Sequence, residues 1–310
     1  MPVHHYHLFG LKLASSLPLP ELACGSGPAD VTIQLARGSF ASGDATGWLD
    51  GGGERVTLFL EDMRFTVDSG CRIEIVAPPG RAENDIRVWL LGTVMATLLH
   101  QRGYFTLHAN AVQLPSGGAA AFSGPSGTGK STMAALLDRA GLRVLGDDLC
   151  AVRTDNERAL VHPGIPRLKL WADTLALFDR SADDLERVAS DLLKYHVPLV
   201  GGAEPGLLDP LPLERLYLLD RAERDDEPLI QRLSGAAAAG AVLDNAFRWG
   251  IGQSVAGGGS RTQFDQALAI ARHVAVFRLA RRWGVDQLFD EGAAIVAHLT
   301  NNEAAGGAAA

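Results

Sequence analysis

A glycine-rich stretch at residues 124–131 carries the clearest chemical signal in this chain. It reads GPSGTGKS and satisfies the pattern G-x-x-x-x-G-K-[ST]. The apolar residues 119–122 before it predict a strand, and residues 132–137 after it predict the start of a helix. Backbone N–H groups of such a loop converge on phosphate oxygens, and the helix N-terminus adds positive partial charge. The sequence therefore predicts a nucleoside triphosphate site rather than a chance glycine-rich turn.

The motif also assigns chemistry to two of its side chains. Lys130 is expected to reach the β- and γ-phosphates, and the hydroxyl of Ser131 is expected to complete the shell of a Mg²⁺ ion. ATP and Mg²⁺ are thus the expected cofactors. The predicted nucleotide-binding residues are Gly124, Pro125, Ser126, Gly127, Thr128, Gly129, Lys130, Ser131 and Thr132.

Three further polar residues are predicted to lie near this loop. His108 belongs to a strand predicted over 106–114, where alternation can point it into the cleft; the alternative is a structural histidine. Asp147 and Asp148 end a strand predicted from residue 142, and nucleotide-binding α/β sheets hold ligands at the carboxyl ends of strands. One carboxylate can bind a metal while the other accepts a proton. The alternative is a solvated Asp-Asp turn.

Taken together, His108, the loop at 124–131 and the segment Gly146-Asp147-Asp148 resemble the catalytic core of the HPr kinase/phosphorylase family. The resemblance implies an α/β fold of the phosphoenolpyruvate-carboxykinase-like type, with a phosphate loop and a mixed sheet. It implies that Asp148 accepts the proton of a serine hydroxyl and that His108 orients the phosphate or the base. The predicted catalytic residues are Asp148, His108, Lys130 and Asp147. The predicted metal ligands are Ser131, Asp147 and Asp148.

The resemblance covers residues 100–170 and departs from the family in two places. A metal-binding glutamate is expected near 160–175, but residues 161–171 read VHPGIPRLKLW and contain none. No counterpart of the arginine-bearing phosphorolysis loop is present either. Residues 6–11, 17–22 and 163–171 resemble instead short HPr-kinase-like proteins. Some of these accompany lasso-peptide biosynthesis and phosphorylate the C-terminal serine or threonine hydroxyl of a precursor peptide.

The pattern along the chain predicts three regions. Residues 1–80 alternate β-like runs with turn residues and predict a β-rich N-terminal region. Residues 81–302 are predicted to form the phosphate-loop catalytic domain, beginning with a buried helix over 85–101. Residues 303–310 are predicted to be a disordered tail. The glycines of 250–259 predict a mobile loop suited to act as a lid.

Composition excludes several classes of protein. The net charge of -8 argues against a nucleic-acid partner. The longest apolar run, residues 88–99, is too short to span a bilayer. Cys24, Cys71 and Cys150 share no spacing for a zinc site or a disulfide framework. With no signal-peptide pattern at the start, the expectation is a cytoplasmic protein without a membrane partner, its homo-oligomeric state left open.

Other polar groups have two interpretations each. His162, Arg167 and Lys169 belong to a predicted loop at the mouth of the site and either bind a phosphate or carboxylate, or are simply solvated. Arg278, Arg281 and Arg282 form a basic patch; Arg278 and Arg282 share a face if their segment is helical, and a solvated face is the expectation. A terminal metal site at residues 4–7 is not expected.

The predicted activity is ATP-dependent phosphorylation of a serine or threonine hydroxyl on a peptide or protein. The lasso-precursor resemblance suggests a C-terminal residue as that acceptor. Two alternatives within enzymes are an HPr serine kinase and a kinase of a small hydroxyl compound. A third alternative, from another class, is a nucleotide-sensing regulator that transfers no phosphate; the paired aspartates argue against it, and the missing glutamate argues for it.

Overall fold

The structure is a computed structural model that describes residues 2–39, 47–50, 53–155, 158–200, 209–224, 226–255, 259–282 and 284–301. The predicted tail at 303–310 lies outside these ranges, as do residues 256–258 of the predicted mobile loop. Among the described residues, no helix is both long and apolar enough to cross a membrane.

The N-terminal region forms one eight-stranded sheet, as its alternating pattern predicts. The strands are β1 (His4–Leu8), β2 (Leu11–Ser15), β3 (Ala23–Cys24), β4 (Val31–Arg37), β5 (Gly47–Asp50), β6 (Arg55–Leu60), β7 (Met63–Asp68) and β8 (Arg72–Ala77). They lie in the order β3-β1-β2-β4-β8-β7-β6-β5. Strands such as β8 alternate buried and partly exposed residues, which is the pattern of a sheet with one face covered.

A helix of three parts covers that sheet. It contains α1 (Glu83–Trp89), a π-helical turn (Leu90–Val94) and α2 (Met95–Gln101). Its apolar residues join the core of the first sheet, together with Leu149 and Val255 from later in the chain. The predicted buried helix over 85–101 is therefore confirmed. Because this helix packs on the first sheet, the boundary predicted at residue 80 separates elements that share a core; the three predicted regions themselves stay a prediction.

The second sheet has nine strands of mixed direction. Its strands are β9 (Phe105–Leu107), β10 (Ala109–Gln113), β11 (Ala119–Ser123), β12 (Val144–Gly146), β13 (Cys150–Thr154), β14 (Ala159–His162), β17 (Leu211–Arg221), β18 (Ile230–Arg232) and β19 (Ala275–Arg281). The two strands that lie between β14 and β17 in the chain, β15 (Leu168–Trp171) and β16 (Lys194–Val197), form a separate two-stranded sheet. Helices on the second sheet and around it are α3 (Lys130–Arg139), α4 (Ala172–Ala176), α5 (Gly235–Asp244), α6 (Trp249–Val255), α7 (Gly259–His273) and α8 (Val285–Thr300).

Strand directions in the second sheet decide where the functional groups meet. β11 and β12 each pair antiparallel with β10, so both run the same way. β17 pairs parallel with β11, and β19 pairs parallel with β17. The carboxyl ends of these four strands and the start of β10 therefore share one edge of the sheet. The mixed α/β class, with a phosphate-loop domain after a β-rich N-terminal region, is confirmed.

Three local predictions are corrected by the structure. The strand predicted over 106–114 is interrupted at His108, which lies between β9 and β10. The loop predicted at 250–259 is helical up to Val255, and Gly259 begins α7. The segment of Arg278 and Arg282 is not a helix. Arg278 lies in strand β19, which is hydrogen-bonded to β17, and most of β17 is buried.

Candidate functional site

The phosphate loop joins the end of β11 to the start of α3. Asn110 Nδ2 donates to the carbonyl of Lys130 at 2.5 Å and so fixes the first turn of the helix. Lys130 Nζ donates to the carbonyls of Gly124 at 2.8 Å and Pro125 at 2.9 Å. Burial lowers the pKa of this lysine, and the nearby aspartates oppose that shift. The ammonium group thus lies inside the loop, and Lys130 also lines the cavity over the loop.

Gly124 is required by a close approach between the loop and the sheet. Its φ of 153° is unfavourable for a residue with a side chain. A Cβ built there would lie 2.7 Å from the carbonyl oxygen of Leu219 in β17 and 2.9 Å from Thr128 Oγ1. Because the first of these atoms is backbone in a central strand, the contact has little room to relax. The loop therefore sits on β17 with no space for a larger residue.

Asp147 connects the loop to the strand end after β12. Its carboxylate oxygens lie 3.3 and 3.5 Å from Ser131 Oγ, which donates to them. They also accept the backbone N–H groups of Asp148 at 3.1 Å and of Lys169 at 3.0 Å. Burial, together with the neighbouring charge of Asp148, raises the pKa of Asp147 to about 6. Proximity to Ser131 places this carboxylate where the phosphate-loop cation is expected.

Asp148 is held by two lysines from the two-stranded sheet. Lys169 Nζ lies 2.8 Å from Oδ2, and Lys194 Nζ lies 3.9 Å from Oδ1. Burial alone would raise the pKa of Asp148, but the two ammonium groups hold it well below its usual range. The residue also has a φ of 70°, which aspartate tolerates better than most residues. Asp148 is therefore an ionised carboxylate in a fixed position.

His108 approaches Asp148 from the break between β9 and β10. Its Nδ1 lies 3.1 Å from the carbonyl oxygen of Asp148. A carbonyl can only accept, so Nδ1 carries the hydrogen and Nε2 keeps its lone pair. The ring stacks on Phe247, with centroids 5.2 Å apart. Burial and the charge of Lys130 lower the pKa of His108, so the imidazole is neutral at pH 7.

A cavity of about 610 Å³ opens over the phosphate loop. Its floor is the loop and the first turn of α3, and its cationic groups include Lys194 of β16 and Arg281 of β19. Arg281 is buried against Glu291, with 3.2 Å between Nε and Oε2. The volume falls within the usual range for small-molecule sites. Backbone donors and cations together make this cavity suited to a polyphosphate.

A second cavity, of about 250 Å³, lies on the other side of Asp148. Four residues line both cavities and so form the wall between them: His108, Asp148, Lys169 and Lys194. Residues of the π-helical turn and Phe247 also line the second cavity. The arrangement places one carboxylate and one neutral imidazole between two separate binding spaces.

The residues near Ser131 fit a hydrated divalent cation. Ser131 Oγ and the carboxylate of Asp147 are oxygen ligands of the kind Mg²⁺ prefers, and they face one another. Asp148 differs from Asp147 in its partners, because each of its carboxylate oxygens is paired with a lysine ammonium group. In the described part of the chain no cluster of three or more His, Cys, Asp or Glu side chains could hold a metal ion, and this includes the N-terminal histidines. Water and nucleotide phosphates would have to complete the shell.

Most of the predicted site residues lie around the larger cavity, as their positions in the sequence predict; Gly124, Pro125 and Asp147 do not line it. Seven of the nine predicted nucleotide-binding residues, 126–132, line the larger cavity. Gly124 and Pro125 do not line it; their carbonyls bind Lys130 instead. His108 and Asp148 line the same cavity, whereas Asp147 lines the second cavity and accepts a hydrogen bond from Ser131 Oγ. The catalytic and metal-binding roles themselves stay predictions.

Sequence reasoning left several participants unassigned. Lys169 is part of strand β15 rather than a loop, and it binds Asp148. Arg167 lies near Glu21 and Glu186, which are distant in sequence. His162 packs edge-on against Tyr104 and does not line either cavity. Lys194 carries no motif, so only the tertiary fold reveals it. Arg281 belongs to the basic patch expected to be solvated, whereas the structure buries it beside the larger cavity.

Comparisons with known proteins add little to this geometry. No protein-family model and no curated protein sequence matches the chain. Among solved structures, the Hpr(Ser) kinase/phosphatase from Coxiella burnetii aligns with 63% of this chain and 96% of its own, at 13% sequence identity and a TM-score of 0.32. A similarity at this level decides nothing about activity.

Proposed function

We propose that this protein is an ATP-dependent kinase that transfers the γ-phosphoryl group to an aliphatic hydroxyl. The observation that carries the proposal is the wall formed by His108, Asp148 and the two lysines between the phosphate-loop cavity and the second cavity. A phosphoryl donor on one side and a hydroxyl acceptor on the other would meet at Asp148. A protein that only senses a nucleotide has no need of that second space.

On the donor side, the chain's own groups bind and orient the polyphosphate. The N–H groups of the loop and the N-terminus of α3 point toward phosphate oxygens. Lys130 and Arg281 add positive charge where negative charge accumulates during transfer. Ser131 and Asp147 would hold Mg²⁺, which, when bound, would neutralise part of the charge on the β- and γ-phosphates.

On the acceptor side, Asp148 receives the hydroxyl. The bond from the hydroxyl oxygen to the γ-phosphorus forms as the bond from that phosphorus to the β–γ bridging oxygen breaks. The hydroxyl proton passes to the carboxylate of Asp148, and ADP leaves. A carboxylate whose pKa is held low by Lys169 is a weak base. It suffices because phosphoryl transfer depends mainly on positioning and charge stabilisation.

The proposed acceptor is a serine or threonine hydroxyl of a peptide or protein, and the C-terminal residue of a lasso-peptide precursor is one form of it. A serine of HPr is a second candidate. A small hydroxyl compound is a third, and the size of the second cavity favours it, since about 250 Å³ is below the usual range for ligand sites. A space of that size admits one residue or one small molecule.

The test is mass spectrometry of acceptors incubated with the protein, ATP and Mg²⁺, alongside a measurement of ADP release. The acceptor panel contains a precursor-type peptide with a terminal serine, HPr and free hydroxyl compounds. The proposal predicts a phosphate mass on at least one acceptor and ADP release that rises when that acceptor is added. Nucleotide binding with no transfer to any of them would favour the sensor function instead.

A further inference from the structure

The two-stranded sheet of β15 and β16 has one hydrophobic face and one polar face. In an antiparallel pair, side chains alternate along each strand, and directly opposite residues share a face. The hydrophobic face joins the core cluster that contains residues of α3, and its members are Leu168, Leu170, Tyr195 and Val197. The register pairs Trp171 with Lys194 and Lys169 with His196, so these four residues form the polar face. Both lysines of the wall between the two cavities therefore come from this face.

Asp148 needs one of these two lysines to balance its charge. Lys169 Nζ donates to Asp148 Oδ2 at 2.8 Å, which is a hydrogen bond. Lys194 Nζ lies 3.9 Å from Asp148 Oδ1, beyond the roughly 2.7–3.2 Å of an N–H···O hydrogen bond. A carboxylate carries a single negative charge, which one close ammonium group can balance. Lys194 is therefore an additional positive charge beside a carboxylate that already has a partner.

The ammonium group of Lys194 makes no hydrogen bond with any residue that the structure describes. Its side chain is 18% exposed, and its Nζ lies 5.8 Å from the centroid of the Trp171 ring. An aromatic ring attracts the positive charge but offers no oxygen to the N–H donors. A largely buried ammonium group without acceptors costs free energy unless a bound group supplies them. Because Lys194 lines both cavities, its donors can reach such a group from the wall.

The larger cavity has an excess of positive charge along its walls. Of the described residues that line it, Asp148 and Asp173 carry carboxylates. Those with cationic side chains are Lys130, Lys169, Lys194, Arg281 and Arg282. Burial lowers the pKa of Lys130, and the charge of Lys194 acts in the same direction, so the two ammonium groups repel each other. An anion bound between like charges removes that repulsion.

Lys194 differs from the other unassigned cations in where it lies. Lys130 and Arg281 line the larger cavity and not the second one, whereas Lys194 lines both. In the proposed reaction the γ-phosphoryl group leaves the nucleotide on one side of the wall and joins a hydroxyl at Asp148. A donor that belongs to the wall itself can contact this group before, during and after its transfer. The geometry therefore separates Lys194 from groups that bind only the donor nucleotide.

We propose that Lys194 is a catalytic residue whose ammonium group contacts the γ-phosphoryl group during its transfer. This inference rests on the proposed kinase function and adds a residue to its machinery. The acceptor oxygen bonds to the γ-phosphorus, the bond to the β–γ bridging oxygen breaks, and the hydroxyl proton passes to Asp148. Lys194 keeps its own protons and donates hydrogen bonds to the non-bridging oxygens of the group in transfer. Fixed donors at that place stabilise the charge of the transition state.

The first test measures nucleotide binding and needs no acceptor. Calorimetry with Mg²⁺ compares ADP with the β,γ-imido analogue of ATP, and the ratio of the two affinities reports contacts to the γ-phosphate. Lys194→Met should lower this ratio by about tenfold or more, the usual worth of a hydrogen bond to a charged group. Lys194→Arg keeps the positive charge and should retain a larger share of the ratio. Lys12→Met is the matched control, because Lys12 is exposed on β2 and lines neither cavity.

The second test repeats the binding measurement in Asp148→Asn. If Lys194 contacts the γ-phosphate, Lys194→Met lowers the affinity ratio in this background as it does in the wild type. If Lys194 served only to balance the charge of Asp148, its removal would leave the ratio unchanged where that charge is already gone. Thermal unfolding of each variant shows whether the fold is intact. Should Lys194→Met fail to fold, Lys194→Gln, which keeps a polar end group, takes its place in both backgrounds.

The third test measures phosphate transfer to the best acceptor of the panel described above. Lys194→Met should lower kcat by about 10² or more, because the contact is worth most in the transition state. Lys12→Met should transfer at the wild-type rate.

The outcomes separate this inference from the function on which it rests. Equal affinity ratios in Lys194→Met and the wild type, or a change that disappears in the Asp148→Asn background, overturn the role of Lys194. Wild-type kcat in Lys194→Met overturns it as well, and in each of these cases transfer by the wild-type protein leaves the kinase function standing. A wild-type protein that binds nucleotide and transfers phosphate to no acceptor overturns the kinase function, and the role of Lys194 in transfer with it.

Discussion

Lys169 contacts both aspartates of the strand end, the backbone of one and the side chain of the other. Its Nζ lies 2.8 Å from Asp148 Oδ2, and its N–H donates to Asp147 Oδ2 at 3.0 Å. The pKa of Asp148 is held low while the pKa of Asp147 rises to about 6. Two adjacent carboxylates thus have different environments, and a difference of this kind separates roles in many active sites.

Removing the charge of Lys169 is expected to change the pH dependence of turnover. In the wild-type protein Asp148 stays ionised throughout the neutral range, because its pKa lies below the usual value. In Lys169→Met the burial of Asp148 raises its pKa, so the carboxylate is lost as the pH falls. Turnover of the variant should therefore decline toward acid at a higher pH than that of the wild type. Lys169→Arg keeps the charge and serves as the control; parallel profiles for Met and wild type would contradict the role of the ion pair.

Asp147 is expected to make Mg²⁺ binding depend on pH. With a pKa of about 6, its carboxyl is largely protonated below that value and ionised above it. A cation needs the ionised form, so Mg²⁺ affinity should fall by about fourfold between about pH 7.5 and about pH 5.5. The measurement is the Mg²⁺ concentration at half-maximal nucleotide binding at each pH. In Asp147→Asn that concentration should be high and independent of pH; an equally steep dependence there would assign the titration to another group.

The glycine at the start of the loop is expected to be indispensable. Gly124→Ala places a Cβ 2.7 Å from the backbone oxygen of Leu219, which cannot rotate away. Gly117→Ala is the control, because Gly117 has a φ of 92° and no atom of the described residues lies within 4 Å of a built Cβ. The control should lose only the cost of a positive φ, about 1–2 kcal/mol of unfolding free energy, and keep its ADP affinity. Gly124→Ala should lose more stability and bind ADP at least about tenfold more weakly; equal behaviour of the two variants would contradict the close approach.

Phe247 is expected to position His108 without touching the nucleotide. Phe247→Leu removes the ring on which His108 stacks at a centroid distance of 5.2 Å. Aromatic pairs contribute about 0.5–1.5 kcal/mol, so phosphate transfer should fall by roughly threefold to tenfold while ADP affinity stays the same. Phe264→Leu is the control, since Phe264 is exposed on α7. A loss of ADP affinity in Phe247→Leu would mean that the ring supports the phosphate loop instead.

Local signals account for what the sequence predicts well. The strand before the loop, the loop and the helix after it follow one another along the chain, so a short window contains all the information. The two aspartates follow their strand in the same way. Their meeting with His108 follows from strand direction, since β11 and β12 are both antiparallel to β10. From the sequence, only the family resemblance predicts that His108 and the two aspartates lie in one site.

Long-range packing explains what the sequence does not predict. Lys194 is far from Asp148 along the chain and carries no pattern of its own. The glycines of 250–255 suggest mobility, yet Gly252 lies in a helix. A Cβ there would lie 1.8 Å from Gln263 Nε2, so this glycine allows α6 to pack closely on α7. Glycine content alone does not distinguish a flexible segment from a tight contact.

The most direct test of the central claim compares Asp148→Asn with the wild-type protein in a single experiment. Mg·ATP affinity is measured by calorimetry, and phosphate transfer to the best acceptor is measured by mass spectrometry. The account predicts unchanged nucleotide affinity and a loss of transfer of about 10² or more, the usual worth of a general acid–base group. Transfer at the wild-type rate in Asp148→Asn would contradict the placement of the reacting hydroxyl at the wall between the two cavities.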